Sequence, residues 1–344
     1  MTMTTYSSPG QRIGVIKASI WKHAVARQIL EGSGEIWKQP VNMGDTARFR
    51  QVVPFGATAA APNTFTLTAA SHLVQEGFTP NVDTLVVVDT DVVVQEYGCL
   101  YGYTKKQAVL GEDPMPDWME EQIGERLGDV REKVYLGALS ACTNRFYSGG
   151  TTRATVDETV TLNLIDRVER NLSGNRAKFV REVLKPSGNI GTSAVEASYI
   201  AYGHTDLKAD IKKIPGFIAV KDYGEQSKVH AMEVGAVGAT RFVLSAEMPK
   251  VIDSGAAIAG TTNYSTTGTS ADVYILYVIA KDAWGHCAFR GLDAIDFSHI
   301  PWNREDKSDP TKQRGYVSGS FYDCAVVSNH GWIAACEVAI SALT

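Results

Sequence analysis

From residue 114 to residue 147 one apolar stripe recurs in steps of three and four: Met119, Ile123, Leu127, Val130, Val134, Ala138, Cys142 and Phe146. That spacing puts side chains on one face of an α-helix. Asp113-Pro114 offers an N-cap followed by the residue best suited to a first helical position. Glu120, Glu121 and Glu125 enrich the first turns, where acids meet the helix dipole favourably, and Gly149-Gly150 stops the run. At ~1.5 Å per residue such a helix is a rod some 45 Å long. A stripe this regular reads as core packing, and the rest of the chain has to be arranged around it.

The remaining pattern is of mixed α+β type. Ile13, Ile16, Ile20 and Ala24 predict an amphipathic helix over 11–31, ended by Gly32 and Gly34. Strand signals follow at 47–53, at 64–68, and in two β-branched runs, 85–88 and 92–94. Together they suggest an extended hairpin with little enclosed volume of its own. A second helix is expected over 162–172 and a short one over 206–214, with strands at 198–202, 241–245, 272–280, 316–327 and 332–340. Two irregular segments, 260–270 and 301–314, interrupt them. The longest apolar run, Val273 to Ala280, is far too short for a bilayer-spanning helix.

Charge is distributed unevenly. Residues 1–30 carry Arg12, Lys17, Lys22 and Arg27 and no acid, whereas Gln51 to Thr104 contains no lysine or arginine but holds Glu76, Asp83, Asp89, Asp91 and Glu96. A segment without basic residues over that length suggests a surface lying on another protein. The net charge of −5 argues against a dedicated nucleic-acid binder, and the polar N-terminal residues show no secretory pattern.

Catalytic patterns are poor. The chain has no GxxxxGK[ST], no GxGxxG between strand and helix, no HExxH and no GxSxG. The best candidate pair is His204 with Asp206, which in a hydrolase or a metal site would act as base or ligand, with His286 or His330 as a further member. The same residues are what a helix N-terminus needs as caps. No catalytic, cofactor-binding or metal-binding residue is assigned. Cys99, Cys142, Cys287, Cys324 and Cys336 are scattered without zinc spacing. Within the turn Ser328-Asn-His-Gly331, a three-residue loop with Ser328 opposite Trp332 would set Cys324 opposite Cys336 as a cross-strand pair.

Several motifs occur in a characteristic order: Ala47-Arg-Phe-Arg50, Leu73-Val-Gln-Glu-Gly-Phe-Thr-Pro80, Gln95-Glu-Tyr-Gly98, an Asn-Arg-Phe-Tyr-Ser-Gly pattern closing the long helix, His204-Thr-Asp-Leu-Lys-Ala-Asp-Ile211, Pro215-Gly-Phe-Ile218, Arg241-Phe-Val-Leu-Ser245, Ala280-Lys-Asp-Ala-Trp-Gly285 and Gln313-Arg-Gly315. In this order they resemble the major capsid proteins of tailed bacteriophages, in the subgroup similar to N4-like podoviruses.

The resemblance implies the Hong Kong 97-type capsid fold, an α+β architecture. Its parts would be an N-terminal arm (1–45), an extended β-hairpin loop with its base strands (46–96), a peripheral domain with a spine helix at 114–147 (97–189), an axial domain (190–300), and a loop with C-terminal strands returning to the peripheral domain (301–344). The implied function is structural: pentamers and hexamers of an icosahedral head enclosing double-stranded DNA. Expected partners are further copies of the chain, a portal protein, a separate scaffolding protein, a cement protein and DNA held non-specifically, with no membrane. Assembly contacts are expected at Arg12, Ile16, Ile20, Trp21, Arg27, Leu73, Phe78, Val86, Val88, Val92 and Val94. An encapsulin-like shell around protein cargo and the His204/Asp206 hydrolase are the alternatives.

Overall fold

The computed structural model describes residues 28–343 apart from 59–60, 66, 75, 78–83, 112–114, 185–192, 224–227, 259–261 and 305–308. Fifteen strands are present among the described residues: β1 (Glu35–Gln39), β2 (Thr46–Val52), β3 (Val87–Val93), β4 (Gln95–Thr104), β5 (Arg145–Tyr147), β6 (Tyr199–His204), β7 (Ile218–Ala219), β8 (Glu233–Val237), β9 (Thr240–Ser245), β10 (Lys250–Val251), β11 (Val273–Ile279), β12 (Trp284–Phe289), β13 (Asp296–Ile300), β14 (Arg314–Val327) and β15 (Ile333–Val338). The α-helices are α1 (Lys105–Leu110), α2 (Met115–Ser140), α3 (Leu162–Gly174) and α4 (Lys208–Ile211).

Three sheets organise these elements. The first runs β1-β12-β14-β13, with β4 pairing along the whole of its length to β14. The second runs β5-β15-β11-β6-β9-β8-β7, with β10 beside β11. The third is the β2–β3 ribbon. Every residue of β11 is buried, which is why Val273-Tyr-Ile-Leu-Tyr-Val-Ile279 is continuously apolar: both faces of its sheet are covered. On one face Tyr274, Leu276 and Val278 pack with Leu164, Ile165, Val168 and Leu172 of α3. On the other, Ile275, Tyr277 and Ile279 share a core with Tyr135 and Leu139 of α2.

The long helix joins two cores. Its first half sends Met119, Ile123 and Leu127 onto Tyr103, Val317 and Phe321 of β4 and β14. Its second half covers the larger sheet. Gly319 permits the close approach to β14, since a Cβ there would lie 2.5 Å from Ile123. Each fully buried Ile or Leu of this kind contributes roughly 1.5–3 kcal/mol relative to exposure, so the stripe fixes α2 firmly across both sheets.

The structure corrects several expectations. α2 ends at Ser140, seven residues before the expected end, because residues 145–147 pair with β15 as a parallel edge strand. Cys142 stays buried and Phe146 packs against the core, so the apolar periodicity continues although the helix does not. The two runs at 85–88 and 92–94 form the single strand β3. The expected strand at 64–68 is absent among the described residues, and Ala69–His72 is a 3-10 turn. The first helix falls mostly outside the described residues, and residues 28–31 are not helical. The short helix at 206–214 is a 3-10 turn, Thr205–Leu207, leading into α4.

Cys324 and Cys336 are not partners. β14 pairs with β12, which sets Cys324 opposite Cys287, while β15 crosses to the other sheet and sets Cys336 opposite Leu276 and Phe146. The amides of Ser328 and Asn329 both bond the Ala283 carbonyl, steering the chain out of β14 instead of closing a hairpin.

Candidate assembly surface

The β2–β3 ribbon is built from a strict alternation. Its outer face carries Arg48 opposite Asp91 and Arg50 opposite Asp89. Each pair is a two-pronged fork, with Nε and Nη2 at 2.7 and 2.8 Å from the two carboxylate oxygens. The Arg50 fork holds the Asp89 carboxyl below the usual carboxylate range, and Arg48 does the same for Asp91. Such exposed pairs add little stability, but they oppose a register slip, which would leave at least one arginine and one aspartate without its partner.

The inner face anchors the ribbon. Ala47 and Val94 are buried with Cys287 and Cys324, and Phe49, Val92, Phe289 and Tyr322 pack around them. Trp37 of β1 meets Phe49 edge-on at 6.2 Å. Between ribbon and body lies a groove of about 420 Å³ whose walls include Trp37, Arg48, Arg50, Lys178, Asp282 and Trp332.

The stretch between β2 and β3 is different. Phe55, Leu67, Leu73, Val74 and Leu85 are all exposed, Leu73 by 79%. One part of the stretch is tied down: the Asn63 and Asn329 side-chain amides donate to each other's oxygens at 2.9 and 3.0 Å. The Arg176 guanidinium sits 3.7 Å from the centre of the Phe65 ring. β1 adds exposed Ile36 and Trp37, and Met43 follows it at 72% exposure.

The sequence-predicted contact residues separate into groups. Leu73 is exposed, while Val86 and Val88 are half-buried. Val94 is taken up by the chain's own core and cannot serve a neighbour, and Val92 packs on the same cluster. This corrects the expectation for Val94: the base of the hairpin buries its own inner face. Arg12, Ile16, Ile20, Trp21, Arg27 and Phe78 lie outside the described residues. Sequence reading passed over Phe55 and β1, and it read Leu67 and Leu85 only as parts of strands.

Ahead of β1, Glu132 of α2 reaches the backbone of residues 29 and 30. Its carboxylate accepts the Ile29 amide at 3.1 Å and the Leu30 amide at 3.2 Å. Burial raises its carboxyl above the usual range. Ile29 and Leu30 are themselves core residues.

His204 and Asp206 meet, with His204 Nδ1 3.1 Å from an Asp206 carboxylate oxygen, but His286 does not join them. His204 Nδ1 accepts the Asp206 amide at 3.1 Å, a cap on the 3-10 turn, and the Asp206 carboxylate accepts the Tyr274 hydroxyl at 2.9 Å. Burial lowers the His204 pKa. His286 sits in the other sheet, where its Nδ1 lies 3.2 Å from the Tyr135 hydroxyl, which donates to Asp323 at 2.8 Å. No group of three His, Cys, Asp or Glu residues able to hold a metal occurs among the described residues. No helix among them is long and apolar enough to cross a membrane.

No protein-family model matches the chain. The major capsid protein of Pseudomonas phage KPP21 is 22% identical over 261 residues, 70% of this chain and 65% of that protein, so the match spans just under two thirds of the curated relative. Among solved structures, the capsid of Ralstonia phage GP4 aligns with a TM-score of 0.62 at 11% identity, covering 100% of this chain and 99% of that one. The capsid of Helicobacter pylori bacteriophage KHP30 gives 0.62 at 12%, covering 97% of both. The cyanophage Pam1 capsid gives 0.61 at 13%, covering 98% of both. The chain has the α+β Hong Kong 97-type fold of phage capsid proteins.

Proposed function

We propose that this chain is the major capsid protein of a tailed bacteriophage, a structural protein that assembles into pentamers and hexamers of an icosahedral head around double-stranded DNA. One observation carries the reading: a capsid fold accounts for nearly the entire chain. The loop between β2 and β3, which that fold extends toward a neighbour, is also where exposed apolar residues accumulate. The curated relative supports the same class. The N4-like assignment within it rests on the ordered motifs of the sequence.

In this reading residues 1–45 are the arm, 46–96 the extended loop, 97–189 the peripheral domain with α2 as its spine, and 190–300 the axial domain. Residues 301–344 would be a loop and C-terminal strands returning to the peripheral domain. β12 and β13 join β14 on the spine's side, and β15 enters the larger sheet. Partners would be neighbouring copies, a portal protein, a separate scaffolding protein, a cement protein and packaged DNA; the place of work is the virion shell, assembled in the bacterial cytoplasm. A shell-former loses stability when its loop is shortened, because obligate interfaces commonly bury more than ~2,000 Å². Negative-stain microscopy of the expressed chain tests the proposal. Capsomers, sheets or closed shells are expected, and dispersed monomers with turnover of an ester or amide substrate dependent on His204 would overturn it.

A further inference from the structure

A cavity of about 430 Å³ opens on the α2 side of the larger sheet, at its β9–β8–β7 end, and its chemistry is unusual. Its floor is Arg241, on β9 between β6 and β8, only 1% exposed. Its rim carries Arg181 and Lys228, both exposed, with Glu182 as the acid among the lining residues. The Arg241 Nε and Nη2 are buried and have no hydrogen-bond partner among the described residues. The guanidinium carbon lies 5.6 Å from the centre of the Tyr223 ring.

The carboxylate bonded to Tyr223 is already engaged. Glu233 accepts the Tyr223 hydroxyl at 2.9 Å and the Val229 amide at 2.5 Å. No ion pair joins Arg241 to a carboxylate among the described residues. A guanidinium cannot shed its proton at neutral pH, so it stays a buried cation with idle donors. Breaking one half of a buried ion pair is strongly destabilising for this reason, and native proteins rarely leave such donors unmet. Three cations around one concave, solvent-reaching space attract an anion, and the planar fork of Arg241 fits two oxygens of one acid group.

We propose that this cavity binds an oxyanion of the phosphate or carboxylate class, with Arg241 as its buried recognition group and Arg181 and Lys228 at its mouth. The anion is either free in solution or the side-chain carboxylate of a neighbouring copy. Binding of a free anion does not depend on the shell reading, so the two can fail separately.

Thermal melts of the full-length unassembled chain in inorganic phosphate, against chloride at matched ionic strength, test the site. Wild type is expected to show a saturable rise in melting temperature with phosphate. Arg241→Met should weaken the apparent affinity by about tenfold or more, since a charge-assisted fork is lost. Arg241→Lys, which keeps the charge without the fork, should fall between. The same titration on assembled particles separates the sources: a response in both states means a free anion, and a response lost on assembly means a neighbour's carboxylate. Should Arg241→Met fail to fold, the wild-type titration alone decides. Absence of any saturable response in wild type, or an undiminished response in Arg241→Met, overturns the proposal.

Discussion

Replacing Glu132 by alanine isolates what holds residues 29 and 30 to α2. The wild-type carboxylate satisfies two amides, those of Ile29 and Leu30, residues that are 4% and 0% exposed. Removing it leaves both donors without an acceptor in a site too enclosed for easy hydration. Each unsatisfied buried donor costs about 1–3 kcal/mol, so Glu132→Ala should lose about 2–6 kcal/mol, the lower end applying where the backbone at 29–30 peels away and finds water. Glu132→Gln is the informative control. It keeps one accepting oxygen and removes a charge that burial disfavours, as the raised carboxyl of Glu132 indicates. It should therefore lie within about 1 kcal/mol of wild type. Urea denaturation of the unassembled chain reads both, with an unchanged slope showing that only stability moved. A Glu132→Ala midpoint within error of wild type, or a Gln variant as damaged as the Ala variant, would refute the reasoning.

The buried Glu337 gives a pH test. Burial alone would raise its carboxyl, but the Arg153 fork at 2.6 and 2.8 Å and Arg145 at 2.8 Å outweigh burial and hold it below the usual range. The stability this lends is present above the ordinary glutamate value and is lost as pH falls through the lower folded value, so the gap between wild type and Glu337→Gln should close below about pH 4. At neutral pH the gap should be about 2 kcal/mol, less than for a fully enclosed pair because Arg153 is 37% exposed; a gap constant with pH would contradict this. Gly331→Ala should release Asn63, since a Cβ there would lie 2.1 Å from its Nδ2; faster amide exchange around residues 61–65 with an unchanged core is expected, and unaltered exchange would show that the Asn63–Asn329 contact does not hold the loop. Finally, no lysine lies between Lys38 and Lys105, so the loop has no amine with which to form an isopeptide bond to a neighbour; particles boiled in detergent and reductant should give one band near 37 kDa, and a covalent ladder would overturn the expectation.

What the sequence conveyed depended on how local each signal was. The stripe from Met119 to Leu127, the all-apolar β11 and the amphipathic α3 are legible because their periodicity reflects burial along a single element. β4 was missed: Gln95-Glu-Tyr-Gly-Cys-Leu-Tyr-Gly-Tyr-Thr104 has two glycines and no valine or isoleucine, and it is a strand because β14 pairs with it over ten residues. β3 was split in two because Asp89-Thr90-Asp91 reads as a turn. The strand persists through it because Arg50 and Arg48 stand opposite the two aspartates. The same pairs explain part of the segment without basic residues: its acids at 89 and 91 are matched from β2, within the chain. Cys324 was assigned the wrong partner for a related reason. A turn signal at 328–331 is local, whereas the choice between a hairpin and a crossing to the other sheet is made by the Ala283 carbonyl, far away in sequence. Arg241 is the opposite case: its type was visible, but nothing local distinguishes a buried cation from a surface one.

Shell formation is the central claim, and sedimentation velocity tests it most directly. Wild type should be compared with a variant in which residues 57–83 are replaced by a short turn, leaving β2, β3 and their Arg–Asp pairs intact. The account predicts capsomer-sized or shell-sized boundaries for wild type and a folded but smaller species for the shortened chain. A single 37 kDa boundary for wild type across the accessible concentration range, with or without the loop, would contradict it.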